Sequence, residues 1–417
     1  MSDQSHESRG ISRRSMLTFM GVGAVGIVGA APALAAEHDH PPRGERPDRP
    51  DRGDRPARPD RAGNPGAMGS FYGDHQQGVI TSAQAHLAFT ALDVTAASRD
   101  ELVGVLRGWT DAAAGLMESR RSDGLSLTFG FGPSLFTLDG VDRFGIAAQQ
   151  PGRFTDLPVF PGDEVEAAIS AGDVCIQACA DDPQAVQQSM RELVRAAGGK
   201  TVTRWTQAGT VGASGRGAPT PRNLFGFKDG TANIPPNDTL EHNDYVWVQP
   251  GDGPDWMAGG TYLAARKIAM HLDMWDDEPV GAQEQVFGRT KGEGAPLSGG
   301  TERTRPDFRA SDASGARLIN PHSHLALAHS VNRQRIRILR RGYNYIEGTR
   351  PDGSPDAGLF FIAFNRDPQT QFIPMQRQLS ESDLMNRFVS YRSSSAFAIP
   401  PGVRSAGGFI GEGVLGG

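Results

Sequence analysis

Asp229 is the first side chain in this sequence whose type and position could support proton chemistry. It follows two phenylalanines in LFGFKDGTANI and precedes a glycine. Asp-Gly is a common turn dipeptide, so the local sequence favours a turn residue. A carboxylate held in place could instead act as an acid or a base. Neither a Walker loop nor a dinucleotide fingerprint accompanies it, so the segment is not a phosphate-binding motif.

Histidines supply the second candidate. The segment NPHSHLALAH contains His322, His324 and His329. At helical spacing His324 shares a face with Leu327 and Ala328, where a histidine is usually a hydrogen-bonded core residue. Two histidines two residues apart can also bind zinc, but no cysteine or obvious carboxylate completes such a site. His324 is therefore a candidate metal ligand, with a structural role as the alternative.

An arginine is the third candidate. QRIRILRRGYNY is predicted to form a strand, in which Arg340 shares a face with Ile336 and Ile338 and Arg341 lies on the opposite face. We therefore expect Arg340 to be the buried arginine. A buried arginine needs an anionic partner or a functional reason, so both a structural ion pair and a site residue remain open.

Two halves with a similar order of elements must position these groups. For residues 71–218 the hydrophobic pattern predicts strands in FYGDHQQGVI, LAFTALDV, LSLTFGF and GDVCIQACA, and helices in RDELVGVLRGWTDAAAGLME and DPQAVQQSMRELVRAAGG. For residues 219–417 it predicts strands in GTYLAARKIAMHLDMW, QRIRILRRGYNY and GLFFIAFNRD and a helix in SESDLMNRFVS. The predicted fold class is α+β, a duplicated ferredoxin-like unit with antiparallel sheets.

Composition limits the classes of partner. The 417 residues are 38% hydrophobic, enough for one large or two ordinary domains, and the net charge is −6 without a basic block. This balance argues against nucleic acid and anionic membrane as partners. Cys175 and Cys179 lie four apart on a predicted strand, about 13 Å from each other and beyond disulfide reach. We expect two buried free thiols.

The first 70 residues indicate export. Arg13 and Arg14 form a twin arginine ahead of an apolar run that ends in Ala33-Leu34-Ala35, which predicts a twin-arginine signal peptide over residues 1–35 and no membrane span after processing. Residues 36–70 are rich in Pro, Arg and Asp and are interpreted as an extended linker, with a partner-binding arm as the alternative.

The processed end suggests an accessory metal site. Cleavage after Ala35 would place His38 third in the mature chain. A free amine, two backbone amides and this imidazole can form a square-planar nitrogen site that favours Cu(II). An idle polar terminus is the alternative.

Five segments together resemble the dye-decolourising haem peroxidases, particularly the twin-arginine-exported branch. They are FYGDHQQGVITSAQ, LTFGFGPSLF, PRNLFGFKDGTANI, FGRTKGEGAPL and RILRRGYNY. The resemblance covers the chain from Phe71 to the C-terminus. It implies two ferredoxin-like domains resembling a dimeric α+β barrel, with non-covalent haem b in the second.

The resemblance also implies roles for single residues. Asp229 would be the distal acid, Arg340 the distal arginine and His324 the proximal iron ligand. Asp367, at the end of the FFIAFNRD strand, is the predicted carboxylate partner of His324, with a strand-end turn as the alternative. Arg289 is predicted to meet a haem propionate, with a loop salt bridge as the alternative.

This sequence departs from the family at one position: Ala326 stands two residues after His324, where the family often has an arginine. The implied function is an exported peroxidase that reduces hydrogen peroxide through a ferryl intermediate and oxidises phenolic or dye-like small-molecule donors. Iron release from haem, of the deferrochelatase kind, and a non-catalytic haem carrier are the alternatives. A homo-oligomer is compatible with the sequence. Electron exit through Trp247, Trp256, Tyr343 or Tyr345 is a further hypothesis, with ordinary packing as its alternative.

Overall fold

A computed structural model describes residues 70–212, 220–329, 336–350 and 352–415. All of them fall within one unit, Pro59–Gly417. The predicted signal peptide, almost all of the linker and the candidate copper ligand His38 lie outside the described residues. The domain boundary near residue 218 stays a prediction.

The first half contains four strands and three α-helices. They are β1 (His86–Val94), α1 (Arg99–Ser119), β2 (Ser126–Phe131), α2 (Pro133–Phe136), β3 (Val174–Ala180), α3 (Pro183–Ala196) and β4 (Thr201–Thr210). The predicted cap of α3 is confirmed, because the Asp182 side chain accepts a hydrogen bond from Gln184 N. Gly198, with φ of 59°, follows the end of this helix as predicted. Short 3₁₀ helices occupy Arg121–Asp123, Ala147–Gln149 and Ala167–Ile169.

The second half contains the other six strands and six α-helices of the described residues. They are α4 (Thr239–Tyr245), β5 (Thr261–Met270), α5 (Leu272–Asp276), α6 (Val280–Phe287), α7 (His324–Ala328), β6 (Leu339–Arg340), β7 (Tyr343–Thr349), β8 (Pro355–Asn365), α8 (Phe372–Ser382), β9 (Val389–Tyr391), β10 (Ser395–Ile399) and α9 (Glu412–Leu415). Further 3₁₀ helices occupy Asp255–Met257 and Leu384–Arg387.

Both halves arrange their strands in the same order. In the first half β1 pairs with β3 and β4, and β2 pairs with β3, which gives the order β4-β1-β3-β2. In the second half β5 pairs with β8 and β10, and β7 pairs with β8, which gives β10-β5-β8-β7. All of these pairings are antiparallel. The predicted α+β class and the internal duplication are therefore confirmed in the described part of the chain.

Two pairings close the halves into a ring. Thr210 of β4 lies opposite Asn344 of β7, and Phe131 of β2 lies opposite Ala398 of β10. Eight strands therefore form a closed barrel, and an apolar cluster from both halves fills its interior, including Phe89, Leu263 and Phe360. A separate cluster covers the first half under α1 and α3.

Three secondary-structure predictions were wrong. Residues 71–80 form turns and bends rather than a strand. The strand predicted from Thr261 ends at Met270, and the following residues form α5. SESDLMNRFVS is not one helix, because α8 ends at Ser382 and a separate 3₁₀ helix, capped by Asp383, begins at Leu384. The first error is a predicted strand that does not form, and the other two lie at element boundaries, where local pattern carries the least information.

The strand predicted in QRIRILRRGYNY appears as two strands that share one register. Leu339 lies opposite Phe364, Arg340 opposite Ala363 and Tyr343 opposite Phe360, so β6 and β7 continue each other along β8. Leu339 and Tyr343 face the barrel interior, whereas Ile338 packs in a cluster outside it. Arg340 therefore lies on the outer face, as its neighbour Ala363 does.

The cysteine prediction is confirmed. Cys175 and Cys179 are buried and free, and both lie on the interior face of β3. Among the residues described, no helix has the length and apolarity to cross a membrane.

Candidate active site

The loop that carries Asp229 is anchored by aromatic packing. Phe225 and Phe227 are buried, and the ring of Phe227 stacks on Phe287 of α6 at 3.9 Å. Asp229 N donates to the carbonyl of Pro221 across 2.7 Å. Gly230 has φ of 114°, a conformation that favours glycine. Asp229 therefore lies in a short antiparallel arm, directly before a turn that begins at Gly230 and is closed by a hydrogen bond from Asn233 N to the Gly230 carbonyl, so the expectation that Asp229 is itself a turn residue was wrong.

Asp229 and Arg340 form an ion pair. Arg340 Nη1 lies 2.8 Å from Asp229 Oδ1, and the two side chains are 29% and 24% exposed. Asn233 fixes the backbone of Arg340 from both sides, since its Oδ1 accepts from Arg340 N (2.9 Å) and its Nδ2 donates to Arg340 O (2.7 Å). The pair is thus positioned, and it stays open to small molecules.

The expectation that Arg340 is the buried arginine was wrong. Arg341 is 5% exposed and lies in the barrel interior, where it donates to the carbonyl of Thr81 and to Gln84 Oε1. The prediction that the two arginines lie on opposite faces of the strand was correct. The error arose because both faces of the strand are covered, and closure of the barrel makes the face of Arg341 the interior one.

His324 is oriented by a carboxylate. Its Nδ1 lies 2.6 Å from Asp383 Oδ2, and the two side chains are 33% and 3% exposed. An ionised carboxylate only accepts, so Nδ1–H donates and the lone pair remains on Nε2. Asp383 Oδ1 also accepts from Met385 N (2.9 Å), which caps the 3₁₀ helix and fixes the carboxylate. This tautomer leaves Nε2 available to a metal.

Asp367 is not the partner of His324, so that prediction was wrong. Its Oδ1 accepts from Gln369 N (2.8 Å) and its Oδ2 from Thr370 Oγ1 (3.0 Å), which makes it the turn residue before α8. Both carboxylate oxygens accept hydrogen bonds within the turn, because Asp367 lies just after the end of β8. Asp367 instead lines a separate cavity of about 630 Å³ together with Arg153, Tyr262 and Arg366.

One aromatic side chain connects the Asp229 loop to His324. Phe287 stacks on Phe227, and its ring centroid lies 6.4 Å from that of His324. Gly288, which ends α6 with φ of 79°, has no room for a side chain, because an added Cβ would lie 2.8 Å from Ser323 Oγ. The close approach of α6 to α7 therefore brings the acid loop and the histidine to one side of the barrel.

An apolar surface adjoins both groups. Leu359, Phe361 and Ala363 share the outer face of β8, and Arg340 lies opposite Ala363. Phe361 is half-buried and packs against two apolar clusters, one with Leu327 of α7 and one with the phenylalanines of the acid loop. The site thus combines an imidazole nitrogen, a charged pair and an apolar surface.

Arg289 is a half-buried cation beside this site. Burial lowers its pKa, the carboxylate of Glu302 opposes that effect, and the charge of Arg340 lowers the pKa further. Its Nη1 donates to the carbonyls of Gly294 (2.7 Å) and Glu302 (2.9 Å), and no carboxylate of the described residues lies within 4.0 Å of it. The loop salt bridge considered as an alternative is therefore absent there, and Arg289 can accept an anionic ligand group.

Glu302 ties the acid loop to the neighbouring segment. Burial favours its neutral form, but hydrogen bonds from Lys228, Thr220 and Thr231 outweigh that effect and lower its pKa to about 2. Lys228 Nζ lies 2.7 Å from Glu302 Oε2. Lys228 directly precedes Asp229, so this ionised carboxylate stabilises the loop.

These residues fit a haem. His324 offers one neutral nitrogen to iron, the outer face of β8 offers an apolar surface, and Arg289 offers positive charge for a propionate. Sequence reasoning missed Asp383, Asn233 and Glu302. Asp383 had one local signal, a helix-capping residue type after α8, but nothing in the sequence connects it with His324.

The aromatic side chains considered for electron exit are not at the surface. Trp247, Trp256, Tyr343 and Tyr345 are all buried. Their role as surface exits is therefore contradicted, and packing is the simpler explanation for the two tryptophans and Tyr345.

Two family models match the chain. The one described as Dyp-type peroxidase, N-terminal, matches residues 76–210, and the one described as Dyp-type peroxidase, C-terminal, matches residues 220–404. Among curated proteins, the dye-decolorizing peroxidase of Thermobifida fusca is 35% identical over 100% of both chains. The deferrochelatase of Shigella flexneri is 32% identical over 83% of this chain and 87% of its own.

The fold has solved counterparts. DtpA from Streptomyces lividans, in a structure described as an oxyferrous/water mixed complex, is 35% identical with a TM-score of 0.77. It covers 85% of this chain and 99% of its own.

Proposed function

The chain belongs to the Dyp-type peroxidase family and is a haem-dependent peroxidase, and from this premise we propose that it binds haem b without a covalent link and reduces hydrogen peroxide. Phenolic or dye-like small molecules supply the electrons, and neither nucleic acid nor membrane is a partner. The observation that carries the proposal is the fixed Asp229–Arg340 pair beside an imidazole whose Nε2 is available.

His324 would hold the haem. Haem, when bound, supplies the iron at which peroxide is reduced. His324 Nε2 would be the iron ligand, and the Asp383 carboxylate would increase the basicity of the imidazole through Nδ1. Arg289 would bind a propionate through the edge of its guanidinium that the carbonyls of Gly294 and Glu302 leave open.

Asp229 and Arg340 would move and stabilise charge. Asp229 Oδ1 is held by Arg340, so Oδ2 would accept a proton from one oxygen of peroxide and return it to the other. Arg340 stabilises the negative charge that develops on the departing oxygen. Two one-electron donors, each with its proton, balance the reduction of one peroxide to two waters.

Rapid mixing of the haem-loaded protein with peroxide tests these roles. Asp229→Ala removes the proton carrier and should slow the spectral change about 10²–10⁴-fold. Arg340→Ala removes the fixed charge and should slow it about 10²–10³-fold. Asp367→Ala is the matched control, because its carboxylate belongs to a turn, and it should react at the native rate. Native rates in both site variants would refute the assignment.

Iron release from haem is the second candidate. The Shigella flexneri relative is named a deferrochelatase, and the alignment with it covers most of this chain. Anaerobic incubation of the haem-loaded protein with a reductant separates the two functions, because iron release yields metal-free porphyrin with its own fluorescence. Porphyrin release without a peroxide-dependent turnover of phenols would favour this candidate.

A haem carrier without turnover is the third function weighed from the sequence. A carrier needs the histidine and the apolar wall but has no use for an acid–arginine pair fixed through Asn233. If peroxide produces no rapid spectral change in the haem-loaded protein, the carrier function replaces the peroxidase.

Export is part of the proposal and rests on the sequence of residues 1–35. The twin-arginine route carries folded proteins, which suits a cofactor inserted before export. Replacing Arg13 and Arg14 by lysine should retain the protein inside the cell while leaving the activity of the retained protein unchanged. Equal export of this variant would contradict the targeting assignment.

A further inference from the structure

The cavity of about 630 Å³ lies between the two halves of the chain. Residues 151–154 of the first half form one wall, and residues of β5 and of the turn after β8 form others. Its volume is that of a site for a small organic molecule. Asp229, Arg340 and His324 do not line it, so it is separate from the candidate haem site.

The cavity opens on the same face of the sheet as that site. Tyr262 lies on the outer face of β5, because the next residue, Leu263, faces the barrel interior. Tyr262 is opposite Asn365 of β8. Arg340 is opposite Ala363, two residues earlier on β8. Strand spacing then places the Cα atoms of Tyr262 and Arg340 about 12 Å apart. A ligand in the cavity is therefore close to the charged pair and leaves that pair free for peroxide.

The walls suit an aromatic ring. The ring centroids of Phe154 and Tyr262 lie 5.5 Å apart, and both side chains line the cavity. Pro151 and Pro368 add flat apolar surface. Rings of this kind contribute apolar area and favour offset or edge contacts with another ring. The body of the ligand is therefore aromatic.

Two tyrosine hydroxyls provide the polar recognition. Among the residues described, neither the hydroxyl of Tyr245 nor that of Tyr262 has a hydrogen-bond partner. Burial raises the pKa of Tyr262, and the carboxylates of Asp367 and Asp252 raise it further, so this hydroxyl stays neutral. A neutral hydroxyl both donates and accepts. The pair therefore matches a ligand group that also does both, such as a hydroxyl.

The charges around the cavity favour an uncharged ligand. Arg366 binds Asp252 through two hydrogen bonds, of 2.6 and 2.8 Å, and the oxygens of Asp367 accept within their turn. Arg153 and Asp244 are exposed at the mouth, and neither forms an ion pair with another described residue. With three carboxylates and two guanidiniums, the lining carries a net charge of −1. This charge opposes the entry of an anion.

We propose that this cavity binds the electron donor as an uncharged phenol, with its ring beside Phe154 and its hydroxyl at those of Tyr245 and Tyr262. The donor role rests on the proposed peroxidase function. The binding of the phenol does not.

The oxidation balances with the reduction of peroxide. Each bound phenol loses one electron to the centre that peroxide has oxidised. Its O–H bond breaks, the proton passes to water at the mouth of the cavity, and a neutral phenoxyl radical leaves. Two such oxidations supply the two electrons and two protons that convert one peroxide to two waters.

Fluorine NMR of para-fluorophenol, titrated into the haem-loaded protein without peroxide, tests the binding. Tyr262→Phe removes a hydroxyl without a partner among the described residues and should weaken binding about 2–10-fold. Gly253→Leu should abolish binding, because a Cβ at this lining position meets only the Tyr262 hydroxyl, at 4.0 Å, and the larger side chain fills the cavity.

Gly104→Leu is the matched control for the filled cavity. This glycine lies on the exposed face of α1 and has equally open space around it, so phenol binding should equal that of the wild type. Native affinity in both Tyr262→Phe and Gly253→Leu would overturn the site. Para-fluorobenzoate carries a negative charge and should bind more weakly than the phenol. Benzoate binding as tight as that of the phenol would overturn the uncharged-ligand assignment.

Rapid mixing tests the donor role separately. After the haem-loaded protein has reacted with peroxide, para-fluorophenol should return its spectrum about 10-fold or more slowly in Gly253→Leu than in Gly104→Leu. Equal rates, with phenol binding lost in Gly253→Leu, would refute the donor role. Absence of any spectral change when the wild type meets peroxide alone would refute the peroxidase function instead, and the NMR titration would still decide the phenol site.

Discussion

Asp383→Asn tests how the carboxylate behind His324 controls the iron. Asp383 is nearly fully buried, and its two oxygens accept from His324 Nδ1 (2.6 Å) and Met385 N (2.9 Å). Asparagine has almost the same shape but no negative charge, and it keeps one acceptor oxygen for these two donors. The substitution therefore weakens the charge-assisted hydrogen bond to His324 with little change in packing.

The expected effect is a higher reduction potential of the haem iron. A carboxylate on the far nitrogen makes the imidazole more electron-donating and favours ferric over ferrous iron. Loss of such a partner typically changes affinity or activity by about 10–100-fold. Since a tenfold change corresponds to about 59 mV for one electron, the ferric/ferrous potential should rise by about 60–120 mV.

A spectroelectrochemical titration of the haem-loaded protein measures this shift. Asp367→Asn is the matched control, because the sequence alone pointed to Asp367 and the structure places it in a turn. Its potential should equal that of the wild type. If Asp367→Asn shifts the potential and Asp383→Asn does not, the placement of the proximal carboxylate is wrong.

Three other substitutions probe the loop, its support and the N-terminus. Asn233→Ala removes both hydrogen bonds that position the backbone of Arg340, and rapid mixing with peroxide should show a reaction about 10–100-fold slower; an unchanged rate would show that Arg340 needs no such support. Glu302→Gln should lower the free energy of unfolding by about 2 kcal/mol at neutral pH, because it removes charge-assisted hydrogen bonds to the acid loop. The folded-state pKa of Glu302 is lowered to about 2, so its contribution to the free energy of unfolding is present above the ordinary carboxyl pKa and disappears as the pH falls through 2. Denaturation at several pH values should show the stabilities of the two proteins converging in acid. A constant difference in stability would contradict the assignment of an ionised Glu302. His38→Ala in the processed protein should lose tight Cu(II) binding in a copper titration, whereas equal affinity would leave the terminus without a metal role.

The residues that the sequence identified are those whose local context is unusual. Asp229 stands between an aromatic pair and a glycine, and the structure places it directly before a turn and makes it one half of an ion pair. Arg340 and His324 became candidate site residues in the same way, because each is a polar residue on a face where the pattern predicts apolar residues. The duplicated ferredoxin-like unit was predicted from the repeated pattern of the two halves, whereas the strand order and the two pairings that join the halves come from the structure.

Asp383 could not be found in this way. It is separated from His324 by 59 residues, and the hydrogen bond exists because the 3₁₀ helix after α8 packs beside α7. Leu384 N donates to the carbonyl of His322 (3.1 Å), which joins the two segments at this point. Local sequence shows that Asp383 caps a helix, but the second oxygen of the same carboxylate finds its partner only through tertiary packing.

Arg340 and Arg341 show how closure of the barrel assigns function to neighbouring residues. Alternation along a strand places consecutive side chains on opposite faces, but it does not say which face is interior. In an open sheet, Arg341 would face solvent and need no partner. Because β4 pairs with β7 and β2 pairs with β10, that face is enclosed, and Arg341 acquires a phenol and a thiol as neighbours. Arg340, on the other face, keeps access to small molecules and pairs with Asp229. The same two pairings therefore leave the Asp229–Arg340 pair open to small molecules and enclose the guanidinium of Arg341 in the interior, on the other face of a single strand.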